Sequence, residues 1–393
     1  MSWLYCILFF FASVIIVCAM IPVIKWLSYK TGAIDEPSNR RVHKKPTPRL
    51  GGVAIFVGIA GCVLLEYIGV EYLGWQIPLS YANDDKVNYF VAAAGVCVMF
   101  GLGVVDDIKC LTARTKFIWQ FISACIVAGS GLLFYRIMNP FTGTFIEFGL
   151  FAYPITVLFL VAFANIINLI DGLDGLASGI CLISATTIFI FAIFQNKADA
   201  AILSLAIMGA CTAFLFFNFH PAKVFMGDSG SLTLGLLLGM ASLLAMARTA
   251  LFMSLLVPIL AAGVPILDTV LAILRRTREH KSITTADKQH IHHRLLQSGL
   301  SQRQTVLIMW AWTAVLSVCG IVMTEAQGAL SIIMFILALG VTIYAVKKLH
   351  LLKPILKHHY NPRKKDNRVP RDPTYGIYDT EKPSEGNEPW KEN

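Results

Sequence analysis

The chain has 393 residues, of which 56% are hydrophobic and 15% are charged, and its formal net charge is +9. Its mean hydropathy is +0.65. Soluble globular proteins carry a larger share of charged residues, so this composition excludes that class and indicates a polytopic membrane protein.

Apolar runs close to the roughly 20 residues that cross a bilayer recur from one end of the chain to the other. Only helices and closed barrels satisfy the backbone in hydrocarbon, and long runs favour helices. We therefore predict an all-α polytopic membrane protein with about eleven transmembrane helices. The predicted spans are 2–24, 50–70, 88–105, 117–135, 150–168, 176–195, 200–218, 230–247, 250–274, 304–323 and 328–346. We expect the first run to be a retained span, because no small-residue cleavage site follows it.

The distribution of basic residues orients these spans. If every span crosses, the connections after spans 1, 3, 5, 7 and 9 lie on one side with the C-terminal tail, and that side holds 29 of the 33 Lys and Arg residues. The positive-inside rule places it in the cytoplasm. We predict a transmembrane domain over 1–346, a basic interfacial segment over 347–360 and a disordered cytoplasmic tail over 361–393.

The same predicted side collects the polar motifs. Its five connections contain, in order, "DEPSNRRVHKKPTPRLGG", "DDIKCLTARTK", "NLIDGLDG", "NFHPAKVFMGDSGS" and "ADKQHIHHRLLQSGL". The opposite connections are short or poor in such residues. This asymmetry predicts an active site at the cytoplasmic face of the membrane.

Asp106 and Asp107 end the third predicted span. One interpretation is an ordinary helix end that enters a polar loop. However, a helix C-terminus already carries partial negative charge, so two carboxylates there require a cation. Lys109, Lys116 or a divalent metal ion can supply it.

Asn168, Asp171 and Asp174 follow the fifth apolar run. If the helix persists, residues three apart lie at neighbouring positions of one face, and Asn168 and Asp171 can share a ligand. The alternative is an Asx–Gly turn between two spans.

Asp228, directly before the eighth span, is either a simple N-cap or a ligand for a hard cation. Mg²⁺ suits such carboxylate and amide oxygens and works with substrate phosphates.

His290, His292 and His293 precede Arg294 in the ninth connection. Zinc ligation is disfavoured because no cysteine lies nearby. The motif is then either a solvated basic loop or a cluster of donors for phosphate oxygens, in which Arg294 can bind bidentately. Asp268, inside the ninth span, is a candidate functional carboxylate whose role the sequence does not define.

Acids for a metal ion and bases for phosphate, gathered at one membrane face, predict phosphoryl transfer that involves a lipid. A transporter is the alternative from another class, but its ionisable residues are expected near the membrane midplane. A membrane-bound lipid phosphatase is a further alternative.

These motifs resemble those of the polyprenyl-phosphate N-acetylhexosamine-1-phosphate transferases, and the similarity covers residues 35–299. The resemblance implies transfer of a sugar 1-phosphate from a UDP-N-acetylhexosamine to undecaprenyl phosphate in the bacterial cytoplasmic membrane, with UMP released. It implies Mg²⁺ as the cofactor, with Mn²⁺ as an alternative. It is compatible with a homodimer and implies no nucleic-acid partner. "HIHH" implies the N-acetylglucosamine branch rather than the branch that uses UDP-MurNAc-pentapeptide, and leaves other aminosugar donors open.

The resemblance also assigns roles by position. It places metal binding on Asn168 and Asp228. It places catalysis on Asp106, Asp107, Asp171 and Asp174. It places substrate binding on Lys116, His290, His292, His293 and Arg294. Since a phosphate monoester is mostly dianionic at neutral pH, removal of its proton needs little help. Asp106 is then either a general base, a group that orients the acceptor or a group that acts through Mg²⁺.

Overall fold

Helices account for nearly all of the architecture, as predicted. The computed structural model describes residues 3–35, 46–75, 87–138, 142, 144–246, 250–278, 290–325 and 329–349. The helices are α1 (Trp3–Thr31), α2 (Gly51–Leu73), α3 (Tyr89–Lys109), α4 (Ala113–Gly129), α5 (Ala152–Ile170), α6 (Leu176–Phe194), α7 (Ala198–Asn218), α8 (Gly227–Met246), α9 (Phe252–Ala261), α10 (Gly263–Arg278), α11 (Ile291–Gln297), α12 (Gln302–Glu325) and α13 (Ala329–Lys348). A 3₁₀ turn at Gly149–Phe151 precedes α5. Apart from residues 347–349, the predicted interfacial segment and tail lie outside the described residues.

In the described part of the chain, nine helices are long and apolar enough to cross a membrane by length and composition. They are α1, α2, α3, α5, α6, α7, α8, α12 and α13. The remaining two predicted spans differ from expectation. The fourth, predicted at 117–135, is the 17-residue helix α4, which begins earlier because Thr112 caps it: the Thr115 N–H donates to Thr112 Oγ1 at 3.3 Å. The ninth, predicted as one helix over 250–274, is divided into α9 and α10 at Ala262.

Helix α8 is the centre of the bundle and is almost entirely buried, with α2, α3, α5, α6 and α7 packed around it. Small residues allow this close packing, as is common between helices in membranes. Gly103 of α3 shows why: a Cβ there would lie 2.4 Å from the Ser229 Cα in the first turn of α8. By contrast, α13 is peripheral. Most of its side chains are exposed, as expected of a helix that faces lipid.

Short strands, which the apolar pattern did not predict, join the connections at each end of the bundle. At one end, β1 (Ile34–Asp35) pairs antiparallel with β2 (Thr47–Pro48). At the other end, β3 (Arg136–Met138) pairs antiparallel with β4 (Phe145–Glu147) and parallel with β5 (Ala250–Leu251). Because β3 and β5 follow spans 4 and 8, their pairing agrees with the prediction that these connections share a side. A hydrogen bond from the Tyr89 hydroxyl to Asp199 joins the first turns of α3 and α7, which begin on that side.

Candidate active site

The first turn of α8 is the element around which the polar residues collect. Asp107, at the end of α3, caps it: its Oδ1 accepts a hydrogen bond from the Asp228 N–H at 2.8 Å, and its Oδ2 accepts one from the Ser229 N–H at 3.0 Å. The amides at the start of a helix lack intrahelical partners, so a carboxylate there is favourable. Asp228 is therefore not the N-cap that one interpretation of the sequence allowed. Its backbone is capped, and its side chain remains available for other contacts.

Lys116 forms ion pairs with the carboxylates of both Asp106 and Asp228. Its Nζ lies 2.7 Å from Asp106 Oδ2 and 2.6 Å from Asp228 Oδ2. Asp106 and Asp107 are only 3% and 5% exposed, so unpaired negative charge here would be costly. The early start of α4 is what places Lys116 in its first turn, within reach of α3 and α8. The sequence indicated that the adjacent carboxylates of Asp106 and Asp107 need a cation. Lys116 is such a cation, supplied by the protein itself.

Arg49 supplies a second cation from the connection between α1 and α2. Its Nε lies 3.4 Å from Asp107 Oδ1, and one terminal nitrogen lies 3.8 Å from Asp228 Oδ1. Backbone hydrogen bonds fix this segment against the residues before α8. The Phe225 N–H donates to the Pro48 carbonyl at 2.8 Å, and the Gly51 N–H donates to the Phe225 carbonyl at 3.0 Å.

Asn168 lies in the last turn of α5 and faces the same turn of α8. Its Nδ2 donates to Ser231 Oγ at 2.9 Å, and Ser231 in turn donates to the Gly227 carbonyl at 3.0 Å. Since Ser231 is three residues after Asp228, it lies on the same face of α8. The predicted pair of Asn168 and Asp228 is therefore brought together, with the amide oxygen of Asn168 as its remaining acceptor.

Asp171 is outside the helix, because α5 ends at Ile170 and Asp171 adopts a non-helical conformation (φ −75°, ψ 52°). Of the two alternatives for this segment, the structure therefore shows the turn between two spans and not a helix that persists beyond Ile170. The glycines of "DGLDG" end the helix, and Gly175 has a positive φ of 78°. Burial, reinforced by the charges of Asp228 and Asp107, raises the pKa of Asp171 to about 7. Asp171 thus still belongs to the group around Asp228.

Asp174 binds a different segment. Its Oδ2 lies 2.8 Å from His220 Nδ1 and accepts a hydrogen bond from the Ala222 N–H at 3.1 Å. The His220 carbonyl also accepts a hydrogen bond from Arg303 Nε of α12 at 3.1 Å. Asp174 therefore ties the α5–α6 loop to the loop before α8, rather than joining Asn168 and Asp171 as a third group on one face.

The histidine cluster of α11 borders the site beside the α5–α6 loop. His292 is 2% exposed and lies against the α5–α6 loop, where a Cβ on Gly172 would be 2.8 Å from its Nε2. Burial lowers the pKa of His292 to about 3, with His293 adding to the effect. The rings of His292 and His293 are 4.3 Å apart. Arg294 follows in the same helix. His290 sits at the start of α11, where it pairs with Asp268.

A divalent cation is compatible with this donor set, although no three Asp, Glu, His or Cys side chains in the described segments form a ready-made metal cage. Mg²⁺ commonly takes one or two protein oxygens and completes its shell with water and substrate phosphates. The Asp228 carboxylate and the Asn168 amide oxygen, on facing turns of α8 and α5, are ligands of that type.

Three contributors were not singled out from the sequence. Arg49 and His220 occur within quoted motifs, but their acidic partners are far away along the chain. Ser231 resembles any other small residue of an apolar helix. The available signal was position: Arg49 directly precedes an apolar span, and His220 lies in the polar connection that leads to Asp228.

In all five predicted cytoplasmic connections, the residues that the structure describes therefore lie at one end of the bundle. The model for glycosyl transferase family 4 matches residues 89–246, which include Asp106, Asp107 and Asp228. A probable undecaprenyl-phosphate N-acetylglucosaminyl 1-phosphate transferase of Bacillus subtilis is 40% identical over 337 residues, which cover 86% of this chain and 90% of that protein.

Two further groups of relatives differ from each other in the transferred group that their names state. A decaprenyl-phosphate N-acetylglucosaminephosphotransferase of Mycolicibacterium smegmatis is 36% identical over 318 residues, or 75% of this chain and 76% of that protein. A phospho-N-acetylmuramoyl-pentapeptide-transferase of Bacillus thuringiensis is 32% identical over 332 residues, or 79% of this chain and 94% of that protein.

Proposed function

This chain belongs to glycosyl transferase family 4, the polyprenyl-phosphate hexosamine-1-phosphate transferases, and from that membership we propose its specific reaction. The proposed reaction transfers N-acetylglucosamine-1-phosphate from UDP-N-acetylglucosamine (UDP-GlcNAc) to undecaprenyl phosphate. The acceptor phosphate oxygen bonds to the β-phosphorus of the donor, the bond from that phosphorus to the bridging oxygen breaks, and UMP leaves. The product is a lipid-linked sugar diphosphate that begins a cell-envelope glycan.

One structural observation carries the proposal. Lys116 Nζ lies between Asp106 and Asp228, at 2.7 Å and 2.6 Å, beside the capped start of α8. Phosphoryl transfer is catalysed mainly by positioning and by neutralising charge, so fixed cations among ordered carboxylates are what it requires. A purely structural helix junction gives no reason to gather two cations and four carboxylates at one end of a membrane bundle.

We assign the acceptor phosphate to the neighbourhood of Asp106 and Lys116. Lys116 supplies positive charge for the phosphate, and Asp106 fixes Lys116 in place. Asp106 is itself held, because its Oδ1 accepts a hydrogen bond from the Leu111 N–H at 2.8 Å. Since the acceptor phosphate is mostly dianionic at neutral pH, orientation by Asp106 is sufficient, and proton removal is not required.

We assign Mg²⁺ to Asp228 and Asn168, on the chemistry of their oxygens. Bound there, it would neutralise negative charge on the donor diphosphate as the bridging bond breaks. Asp171, next to Asp228, adds a further carboxylate at the same place. Its raised pKa is a property of the protein without a bound cation, because a divalent cation favours the ionised form.

We assign the donor side of the site to the α11 cluster and the α5–α6 loop. His290, His293 and Arg294 offer donors to the phosphates of UDP-GlcNAc, while His292 packs neutral against Gly172. Asp174 supports this flank by holding the loop before α8 through His220. The choice of UDP-GlcNAc over UDP-MurNAc-pentapeptide rests on "HIHH" and on the higher identity to the relatives named for N-acetylglucosamine.

The membrane placement follows from the same arrangement. The chain is a multi-pass membrane protein. We propose that it resides in the bacterial cytoplasmic membrane with the α8 end in the cytoplasm, where UDP-sugars are available and where the positive-inside rule places the basic connections. The transporter alternative finds no support in the three relatives described above, each of which is named as a transferase.

Purified protein with undecaprenyl phosphate and Mg²⁺ tests the proposal. UMP release is followed in parallel from UDP-GlcNAc, UDP-GalNAc and UDP-MurNAc-pentapeptide. The expected result is release from UDP-GlcNAc that requires both the lipid phosphate and Mg²⁺. Release from another donor alone would overturn the assigned donor, and release without lipid phosphate would indicate hydrolysis instead of transfer.

A further inference from the structure

Asp268 of α10 is a buried carboxylate that the proposed reaction does not yet use. It is 3% exposed, and both of its oxygens are engaged by the start of α11. Its Oδ1 accepts a hydrogen bond from the Ile291 N–H at 2.9 Å, and its Oδ2 lies 3.0 Å from His290 Nδ1. One side chain thereby fixes both the backbone and the first ring of the histidine cluster.

The chemistry of this contact defines where His290 carries its proton. An ionised carboxylate only accepts hydrogen bonds, so Nδ1 of His290 must be the donor. The neutral imidazole then has its hydrogen on Nδ1, and any further proton is taken up at Nε2. A carboxylate in this position also balances the charge of the resulting imidazolium, as in other carboxylate–histidine pairs.

The pair is connected to the rest of the site through ring contacts. The ring of His290 stacks nearly parallel to that of His292, with centroids 5.7 Å apart and an interplanar angle of 2°. His292 in turn lies against Gly172, beside Asp171. By orienting His290, Asp268 therefore affects the α5–α6 loop through the side chains of His290 and His292.

On the basis of the proposed function, we propose that Asp268 is a positioning residue for the donor diphosphate. It holds His290 with Nδ1 as the donor to its carboxylate and balances the charge of the imidazolium, so that Nε2–H donates a charge-assisted hydrogen bond to a phosphate oxygen of the UDP-sugar. Asp268 does not touch the substrate. It acts through His290, whose side chain retains 8% exposure.

The Asp268→Asn variant separates this role from simple packing. Asn keeps an oxygen for the Ile291 N–H, but its Nδ2 is a donor, so His290 can stay hydrogen-bonded only by accepting at Nδ1. The proton is then fixed on Nε2 and the ring stays uncharged. We expect kcat/KM for UDP-GlcNAc to fall by about tenfold or more, with an unchanged KM for undecaprenyl phosphate and an unchanged thermal unfolding temperature.

The His290→Asn variant makes the complementary change. Its Nδ2 can donate to Asp268 as Nδ1 does in the native protein, but it has no counterpart of Nε2, so we expect a comparable loss of kcat/KM in a folded protein. The double variant should be no worse than His290→Asn alone, because Asp268 acts through His290. Ser184→Ala is the matched control. It removes a buried hydrogen bond of 2.7 Å to the Ala261 carbonyl beside α10, and should alter stability without altering kcat/KM.

The outcomes separate this inference from the proposed function. Near-native kcat/KM in either folded single variant, or additive losses in the double variant, would overturn the role of Asp268 while leaving the reaction intact. Absence of UMP release from the native protein with every donor would overturn the proposed function itself.

Discussion

The Asp107 carboxylate caps the helix that presents Asp228: its Oδ1 accepts the Asp228 N–H at 2.8 Å. Its neighbour Asp106 instead pairs with Lys116, at 2.7 Å. Two adjacent acidic residues therefore have different partners. One holds the backbone of α8, and the other holds a cation beside it.

This division predicts different phenotypes for the two carboxylates. Asp107→Ala leaves the Asp228 and Ser229 amides without their acceptor, and loss of such a cap costs about 1–2 kcal/mol. We expect a lower thermal unfolding temperature together with lost turnover. Asp106→Asn should lose turnover with the unfolding temperature largely kept, because Asn still offers an acceptor to the Leu111 N–H. Equal destabilisation by both changes in a detergent thermal-shift assay would contradict the division.

Asp228→Asn should remove turnover while the protein remains folded. The Asp228 N–H still donates to Asp107 after the change, so the start of α8 keeps its cap. The Mg²⁺ concentration for half-maximal UMP release should rise by about tenfold or more if any activity remains. Asp199→Asn, at the opposite end of the bundle, is the matched control and should leave that concentration unchanged. An unaltered Mg²⁺ dependence of Asp228→Asn would remove the metal assignment.

Gly172→Ala should impair the donor side of the site. The new Cβ would lie 2.8 Å from His292 Nε2, so the α5–α6 loop and α11 must move apart. We expect a higher KM for UDP-GlcNAc and no change in KM for undecaprenyl phosphate in steady-state assays. Gly101→Ala in α3, where a Cβ would meet nothing within 4 Å, is the control and should behave like the native protein. Native kinetics in Gly172→Ala would show that this contact does not bear on donor binding.

His292 predicts a dependence of stability on pH in the substrate-free protein. Its pKa is about 3 in the folded protein and near 6.5 in an unfolded chain, so the unfolded chain binds the extra proton between these values. The free energy of unfolding should therefore fall as the pH is lowered from 6.5 towards 3, by about 1–2 kcal/mol at pH 5. His292→Gln should lose this part of the decline in thermal unfolding measured across that range. An identical decline in both proteins would argue against a buried neutral histidine.

The sequence was sufficient for the membrane fold and for the gathering of polar connections at one end, because hydropathy and charge asymmetry are local properties of the chain. Asp106, Asp107, Asn168 and Asp228 lie together for the same reason: each is at the end of its helix that adjoins a predicted cytoplasmic connection, the C-terminal end of α3 and α5 and the N-terminal end of α8.

The hydrogen-bond partner of each carboxylate could not be predicted from local sequence patterns. Asp174 is three residues from Asp171 yet binds His220, because the helix ends at Ile170 and the chain turns between the two carboxylates. The partners Asp107 and Asp228 are 121 positions apart in the sequence, and the capping role of Asp107 depends on the packing of α3 against α8. The role of Asp268 likewise depends on α11, which the apolar pattern did not indicate as a separate helix.

Transfer of the donor's β-phosphorus to the lipid tests the central claim most directly. Purified protein is supplied with undecaprenyl phosphate, Mg²⁺ and UDP-GlcNAc labelled at the β-phosphorus. The account predicts that the label enters the lipid fraction in step with release of unlabelled UMP. Label that stays in UDP would indicate transfer of the sugar alone, and label in water-soluble N-acetylglucosamine-1-phosphate would indicate hydrolysis. Either result would contradict the account.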